Sequence, residues 1–105
     1  MNILLVDDEK IMEKSIGDFL RRIGYNVTYT NSAESALIHL KQCDFKIVIT
    51  DINMPVKTGI DLLKEIKNIS TAICVIIITG YSSLETALEA LRFGASDYLL
   101  KPIDL

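Results

Sequence analysis

The sequence predicts a doubly wound α/β fold, and two observations predict it: short apolar runs alternate with stretches of helical periodicity, and polar residues follow directly on those runs. Asn2 to Val6 is the first run, ended by Asp7 and Asp8. Met12, Ile16, Phe19, Leu20 and Ile23 then recur at helical spacing until Gly24 stops the helix. Tyr25 to Thr30, rich in β-branched and aromatic residues, reads as a second strand. Asn31 or Ser32 is placed to cap a helix whose Ala33, Ala36, Leu37 and Leu40 share a face. Phe45 to Thr50 is a third strand, followed by a loop with Pro55 and Gly59 and a helix marked by Ile60, Leu63 and Ile66, or by Leu62, Ile66 and Ile69. Ala72 to Ile78 is the longest apolar run and reads as a strand buried on both faces. Leu84, Ala87, Leu88 and Leu91 form the next helical stripe up to Gly94, and Asp97 to Leu100 is a brief last strand. Five strands alternating with helices imply a parallel sheet, because every parallel connection needs a crossover, and right-handed crossovers put helices on both faces.

Length and composition set the bounds. A chain of 105 residues supports one hydrophobic core and leaves no room for a second domain. Half the residues are apolar and 24% are charged, too apolar for a disordered chain. The apolar run before Asp7 is too short for a signal peptide or a membrane span, so a cytoplasmic protein is expected. A net charge of -3, without a block of Lys or Arg, argues against direct nucleic-acid binding by this domain. Cys43 and Cys74 have no partner at metal-ligand spacing and are expected to be buried free thiols; His39 is expected on the surface, away from the acids.

In an open parallel sheet, functional groups gather beyond the carboxyl ends of the strands. Asp7, Asp8, Asp51, Thr79 and Lys101 all sit there: Val6 precedes Asp7, Thr50 precedes Asp51, Ile78 precedes Thr79 and Leu100 precedes Lys101. Three neighbouring carboxylates repel one another unless their pKa values rise or a cation neutralises them, and a hard, oxygen-seeking ion such as Mg²⁺ fits best. With Lys101 beside it, such a site suits the stabilisation of a phosphoryl group in transfer, with a carboxylate as nucleophile.

These residues resemble the response-regulator receiver family, whose hallmarks stand here as Val6-Asp7-Asp8-Glu9, Asp51-Ile52-Asn53-Met54-Pro55 with Gly59, Thr79-Gly80 and Tyr98-Leu99-Leu100-Lys101-Pro102. The match spans nearly the whole chain, and the stretch from Thr79 to Pro102 looks most like receivers attached to sigma-54-type activators or related multidomain regulators. The resemblance implies a flavodoxin-like strand order 2-1-3-4-5. It implies that Asp51 is the phosphoacceptor and that Asp7, Asp8, Asp51 and the Asn53 main-chain carbonyl hold Mg²⁺ (or Mn²⁺). Lys101 would bond a phosphoryl oxygen, and the Lys101-Pro102 peptide would be cis. Thr79 and Tyr98 would form the switch, moving when Asp51 is phosphorylated and changing the face made by the fourth helix and fifth strand. Asn53 and Tyr81 stand where the family tunes loss of the phosphoryl group; neither is a carboxylate, and a bulky Tyr81 is expected to slow that loss. The implied partners are a sensor histidine kinase or phosphotransfer protein, and an output domain or effector protein, with a transcriptional output expected. On this reading the chain is a switch and not an enzyme acting on other substrates.

Receivers usually continue past the Lys-Pro with a fifth helix, whereas this sequence ends three residues after Pro102. Residues 1–105 are therefore expected to be a receiver domain truncated before its last helix, with apolar surface left open beside the first strand. A natural short receiver that covers this face by dimerising is the alternative, and the expected homodimer would form through that open face or through the face of the fourth helix and fifth strand. Tyr98 also has a plain reading as a strand aromatic packed on the sheet. Among rival functions, an aspartyl-phosphate phosphatase needs a second Asp where Asn53 stands, and a nucleotide binder would not place Asp7-Asp8-Glu9 in its phosphate loop. A phosphorylation-independent pseudo-receiver, acting as an interaction module alone, is the remaining alternative.

Overall fold

A computed structural model describes residues 1–80 and 83–103. Its sheet contains β1 (Asn2–Val6), β2 (Asn26–Thr30), β3 (Ile47–Thr50), β4 (Cys74–Thr79) and β5 (Asp97–Leu100), all parallel, in the order β2-β1-β3-β4-β5. β1 and β5 have the bounds expected from sequence. β2, β3 and β4 begin later, because Tyr25, Phe45, Lys46, Ala72 and Ile73 lie in the connections that lead into the ladder. β4 ends on Thr79, so that residue closes the strand and does not follow it.

The strand residues alternate between two apolar layers. Leu4, Val6, Val48, Val75 and Ile77 face α2 (Ala33–Gln42), α3 (Gly59–Ile69) and α4 (Leu84–Arg92). Ile3, Leu5, Ile49 and Ile78 face the first helix, meeting its Met12 and Ile16. That helix contains a π-helical turn, Glu13–Gly17, followed by α1, Asp18–Arg22. The Ser15 hydroxyl donates back to the Ile11 carbonyl at 3.2 Å, an insertion that a widened turn accommodates. Beside it lies a groove of about 440 Å³ lined mainly by Ile11, Met12, Ile16, Pro102 and Ile103.

Side chains at the helix starts explain where they begin. Ser32, not Asn31, caps α2, accepting from the Ser35 N–H. Thr58 and Asp61 form a reciprocal capping box on α3, as do Ser83 and Thr86 on α4. Within α3 both proposed stripes contribute: Ile60, Leu62, Leu63 and Ile66 are buried, while Ile69 is exposed. The leucine stripe of α4 points the other way from a core stripe. Leu84, Leu88 and Leu91 are 77%, 51% and 60% exposed, and the small Ala90 is what the helix buries. Leu99 and Leu100 on β5 are also exposed, Leu100 on the same side of the sheet as Tyr98 and Leu99 on the other.

Two expectations about reactive side chains are corrected. Cys43 is exposed, because it is the residue at which α2 ends, and Cys74 is half-buried at the entry to β4. His39 is half-buried in α2, not a fully exposed surface residue. No helix among the described residues is long and apolar enough to cross a membrane.

Candidate functional site

The ends of β1, β3, β4 and β5 converge because the four strands are hydrogen-bonded in register: Val6 pairs with Thr50, and Thr79 with Leu100. The residue after each of β1, β3 and β5 is therefore delivered to one rim. Asp51 takes its place through its N–H, which donates to the Val6 carbonyl at 3.1 Å. Gly59, at the start of α3, closes the loop from below by donating to the Ile52 carbonyl at 2.9 Å. A methyl group on Gly59 would run into the Asp51 carbonyl, so only glycine permits this approach.

Asp7 and Asp51 are nearly inaccessible, at 2% and 5%, while Asp8 and Glu9 face solvent. One carboxylate oxygen from each of the four lies within 4.8 Å of the others. The Lys101 ammonium sits among them, 2.8 Å from Asp7 Oδ2, 3.0 Å from Asp51 Oδ2 and 3.7 Å from Glu9 Oε1. The other Asp51 oxygen accepts the Ile52 N–H at 2.7 Å, and Asp7 Oδ1 accepts the Glu9 N–H at 2.8 Å. Both buried carboxylates are thus oriented by a main-chain donor and a cation together.

Electrostatics follow from this crowding. Burial pushes the Asp7 carboxyl above its ordinary 3.8, opposed by the bonds to Lys101 and Glu9 and reinforced by the Asp51 charge. For Lys101, burial acts to lower the pKa, but the bonds and charges of Asp7 and Asp51 outweigh it and hold it above 10.5. The ammonium is therefore charged at any physiological pH. Four oxygen-only donors with surplus negative charge fit a hard divalent cation such as Mg²⁺. An open cavity of about 260 Å³, lined by Asp8, Glu9, Asp51, Asn53, Gly80 and Lys101, gives access to it.

The other expected residues are placed as follows. Asn53 lines that cavity and is exposed. Thr79 is fully buried at the end of β4, and its carbonyl accepts the Lys101 N–H at 2.9 Å. The Lys101–Pro102 peptide is cis. Tyr98 stands apart from the acids. It is half-buried on the helical side of β5, its hydroxyl 3.1 Å from Thr86 Oγ1 in the α4 capping box. Tyr81 lies outside the described residues. Two contributors escaped the sequence reading. Glu9 joins the acidic cluster, and its signal was its position directly after Asp7-Asp8. Tyr29 donates its hydroxyl to the Asp7 main-chain carbonyl at 2.6 Å, which only the β1/β2 register reveals.

Comparison with known proteins agrees with this geometry. The family model described as "Response regulator receiver domain" matches residues 3–105. The transcriptional regulatory protein ZraR of Escherichia coli strain K12 is 46% identical over 104 residues, covering 99% of this chain and 24% of that protein. FixJ of Bradyrhizobium diazoefficiens, another transcriptional regulatory protein, is 34% identical over 98% of this chain and 50% of its own length. The chain thus spans only about a quarter to a half of these relatives. Among solved structures, a CheY-like receiver domain protein from Methanospirillum hungatei JF-1 superposes with a TM-score of 0.94 at 31% identity, covering 98% of this chain and 82% of that one. The beryllofluoride-activated NtrC4 receiver domain dimer gives 0.92 at 32% identity, covering 98% and 85%. The acidic cluster stands where receiver domains coordinate Mg²⁺, and it suits their self-catalysed phosphorylation and dephosphorylation. Such proteins work between a cognate kinase and an output module. Fold, acidic rim and sequence relatives agree, and the chain belongs to the response regulator receiver domain family.

Proposed function

We propose that Asp51 accepts a phosphoryl group from the phosphohistidine of a sensor kinase or phosphotransfer protein, and that the acceptance switches the α4/β5 face. The observation that carries this reading is the environment of Asp51. Its carboxylate is buried yet borders the open acidic cavity, with one oxygen held by the Ile52 N–H and the other by Lys101. In the transfer, an Asp51 oxygen bonds to phosphorus as the phosphorus–nitrogen bond of the donor breaks, and the imidazole keeps the electron pair and takes up a proton. Asp7, Asp8, Asp51 and the Asn53 main-chain carbonyl are the groups that would hold Mg²⁺, which when bound neutralises charge on the phosphoryl oxygens. Lys101 supplies a second positive charge at the same oxygens, and Asp7 and Glu9 keep its ammonium at the rim.

Thr79 and Tyr98 carry the signal outward. The Tyr98 hydroxyl touches Thr86 in the cap of α4, so its displacement alters the start of the helix that bears the exposed leucines. That leucine face is the surface offered to an output domain, an effector or a second receiver; the groove beside Ile103 is the other candidate for a homodimer. Through its relatives the expected output is transcriptional, and the expected compartment is the cytoplasm. The test is an amide NMR spectrum before and after addition of acetyl phosphate with Mg²⁺. Wild type should shift resonances of Thr79, Tyr98 and α4, and Asp51→Asn should shift none. An unresponsive wild type would identify a phosphorylation-independent interaction module instead.

A further inference from the structure

The turn that carries the first two acids is gripped by the edge strand. Tyr29 pairs with Leu5 across the β1/β2 ladder and packs in the same apolar layer as Leu5 and Ile49. Its phenol reaches past the end of β1 to donate to the Asp7 carbonyl at 2.6 Å. The Asp7 N–H donates in turn to the carbonyl of the next β2 residue, Thr30, at 3.1 Å. Both polar main-chain groups of Asp7 are thereby tied to consecutive residues of one strand.

The consequence falls on Asp8. A peptide unit is planar, so the Asp7 carbonyl and the Asp8 N–H turn as one body. Fixing that carbonyl fixes the direction of the Asp8 N–Cα bond, while the Glu9 N–H, held by Asp7 Oδ1, fixes the peptide on the other side of Asp8. The Asp8 side chain is exposed, and among the described residues its carboxylate makes no hydrogen bond, so the backbone is what aims it. Asp7 differs: its carboxylate is anchored by Lys101 and the Glu9 N–H.

We propose that Tyr29 is a positioning residue for the divalent cation, presetting the Asp7–Asp8 peptide so that the Asp8 carboxylate points into the metal site. The inference rests on the metal-binding reading above. Tyr29→Phe tests it, because the ring and its packing remain while the donor is removed. Binding is followed by the electron paramagnetic resonance signal of free Mn²⁺, alongside thermal unfolding of the metal-free protein and phosphorylation by acetyl phosphate across a range of Mg²⁺. The variant should bind Mn²⁺ about tenfold more weakly, at the low end for groups that orient metal ligands. It should melt close to wild type, and its slowed phosphorylation at low Mg²⁺ should return to the wild-type rate at saturating Mg²⁺. Tyr25→Phe, on an exposed tyrosine just before β2, should bind as wild type does. Unchanged Mn²⁺ affinity in Tyr29→Phe would overturn the proposal. So would a large loss of thermal stability with a rate that Mg²⁺ does not restore, since that marks a purely structural hydroxyl. Failure of the wild type itself to bind Mn²⁺ would remove the metal-site reading first and this inference with it.

Discussion

Replacing Lys101 by Met keeps the length of the side chain and removes the one cation that, among the described residues, touches both buried acids. Its ammonium lies 2.8 and 3.0 Å from the Asp7 and Asp51 oxygens, and the three side chains are 17%, 3% and 6% exposed. At an effective dielectric of about 20, each contact is worth roughly 6 kcal/mol of gross attraction before desolvation is charged against it. Breaking a buried pair by removing one partner costs about 3–5 kcal/mol, and proton uptake by the stranded Asp7 holds the loss at or below the bottom of that range, at about 2–3 kcal/mol. In a domain of this size that corresponds to a fall in Tm of roughly 10–20 °C. The pH dependence has a definite sign. Asp7 already holds its proton more tightly when folded than its ordinary 3.8, so its contribution to stability falls as pH rises from there through the raised value. Without Lys101 that effect grows, and the deficit of the variant should be smaller at about pH 5 than at about pH 7.5. The stability that wild-type Lys101 contributes is present in full below 10.5 and is lost only as pH climbs through its higher folded value. Thermal unfolding by circular dichroism at both pH values, with and without Mg²⁺, measures all of this, and Mg²⁺ should restore part of the loss by replacing the missing charge. A metal-free variant that melts with wild type at neutral pH, or whose deficit does not shrink in acid, would refute the electrostatic account.

Gly59→Ala should destabilise the domain by about 1–3 kcal/mol and slow phosphoryl acceptance, because the added methyl displaces the Asp51 main chain; denaturant unfolding and the rate with acetyl phosphate check both. Val56 has φ of 70° and is 89% exposed, a left-handed conformation that a β-branched residue tolerates poorly. Val56→Asn should therefore stabilise by about 0.5–1 kcal/mol in denaturant titrations, since little packing is lost. Tyr81→Ala should shorten the lifetime of the phosphorylated protein, followed by the decay of the phosphoryl adduct after the donor is removed; equal lifetimes would dismiss a shielding role.

Fold class was legible because the strands are short apolar runs that alternate with helical stripes, and α2, α3 and α4 each begin on a capping side chain, whereas the strand order came from the family resemblance. The boundaries were less so. Phe45 is as buried as a strand residue, at 4%, yet it precedes the ladder, and sequence hydrophobicity reports burial without reporting pairing. The α4 leucines show the same limit in reverse: their spacing marks a helix, but nothing in the spacing says that Ala90 and not the stripe faces the sheet. In the site, Asp7, Asp8, Asp51 and Lys101 were readable from strand ends alone. Glu9 was marked by its position after Asp7-Asp8, though its part in the cluster depends on how the turn folds back, and Tyr29 was not marked at all, because its role depends on a register between strands more than twenty residues apart. Val56 carried no signal of its positive φ, since valine is the opposite of what that conformation favours.

The central claim is that Asp51 accepts a phosphoryl group in a metal-dependent reaction, and intact mass spectrometry after incubation with acetyl phosphate tests it most directly. Wild type with Mg²⁺ should gain a single phosphoryl adduct, while Asp51→Asn and wild type in chelator should gain none. A folded wild type that stays unmodified, or an adduct that persists in Asp51→Asn, would contradict it.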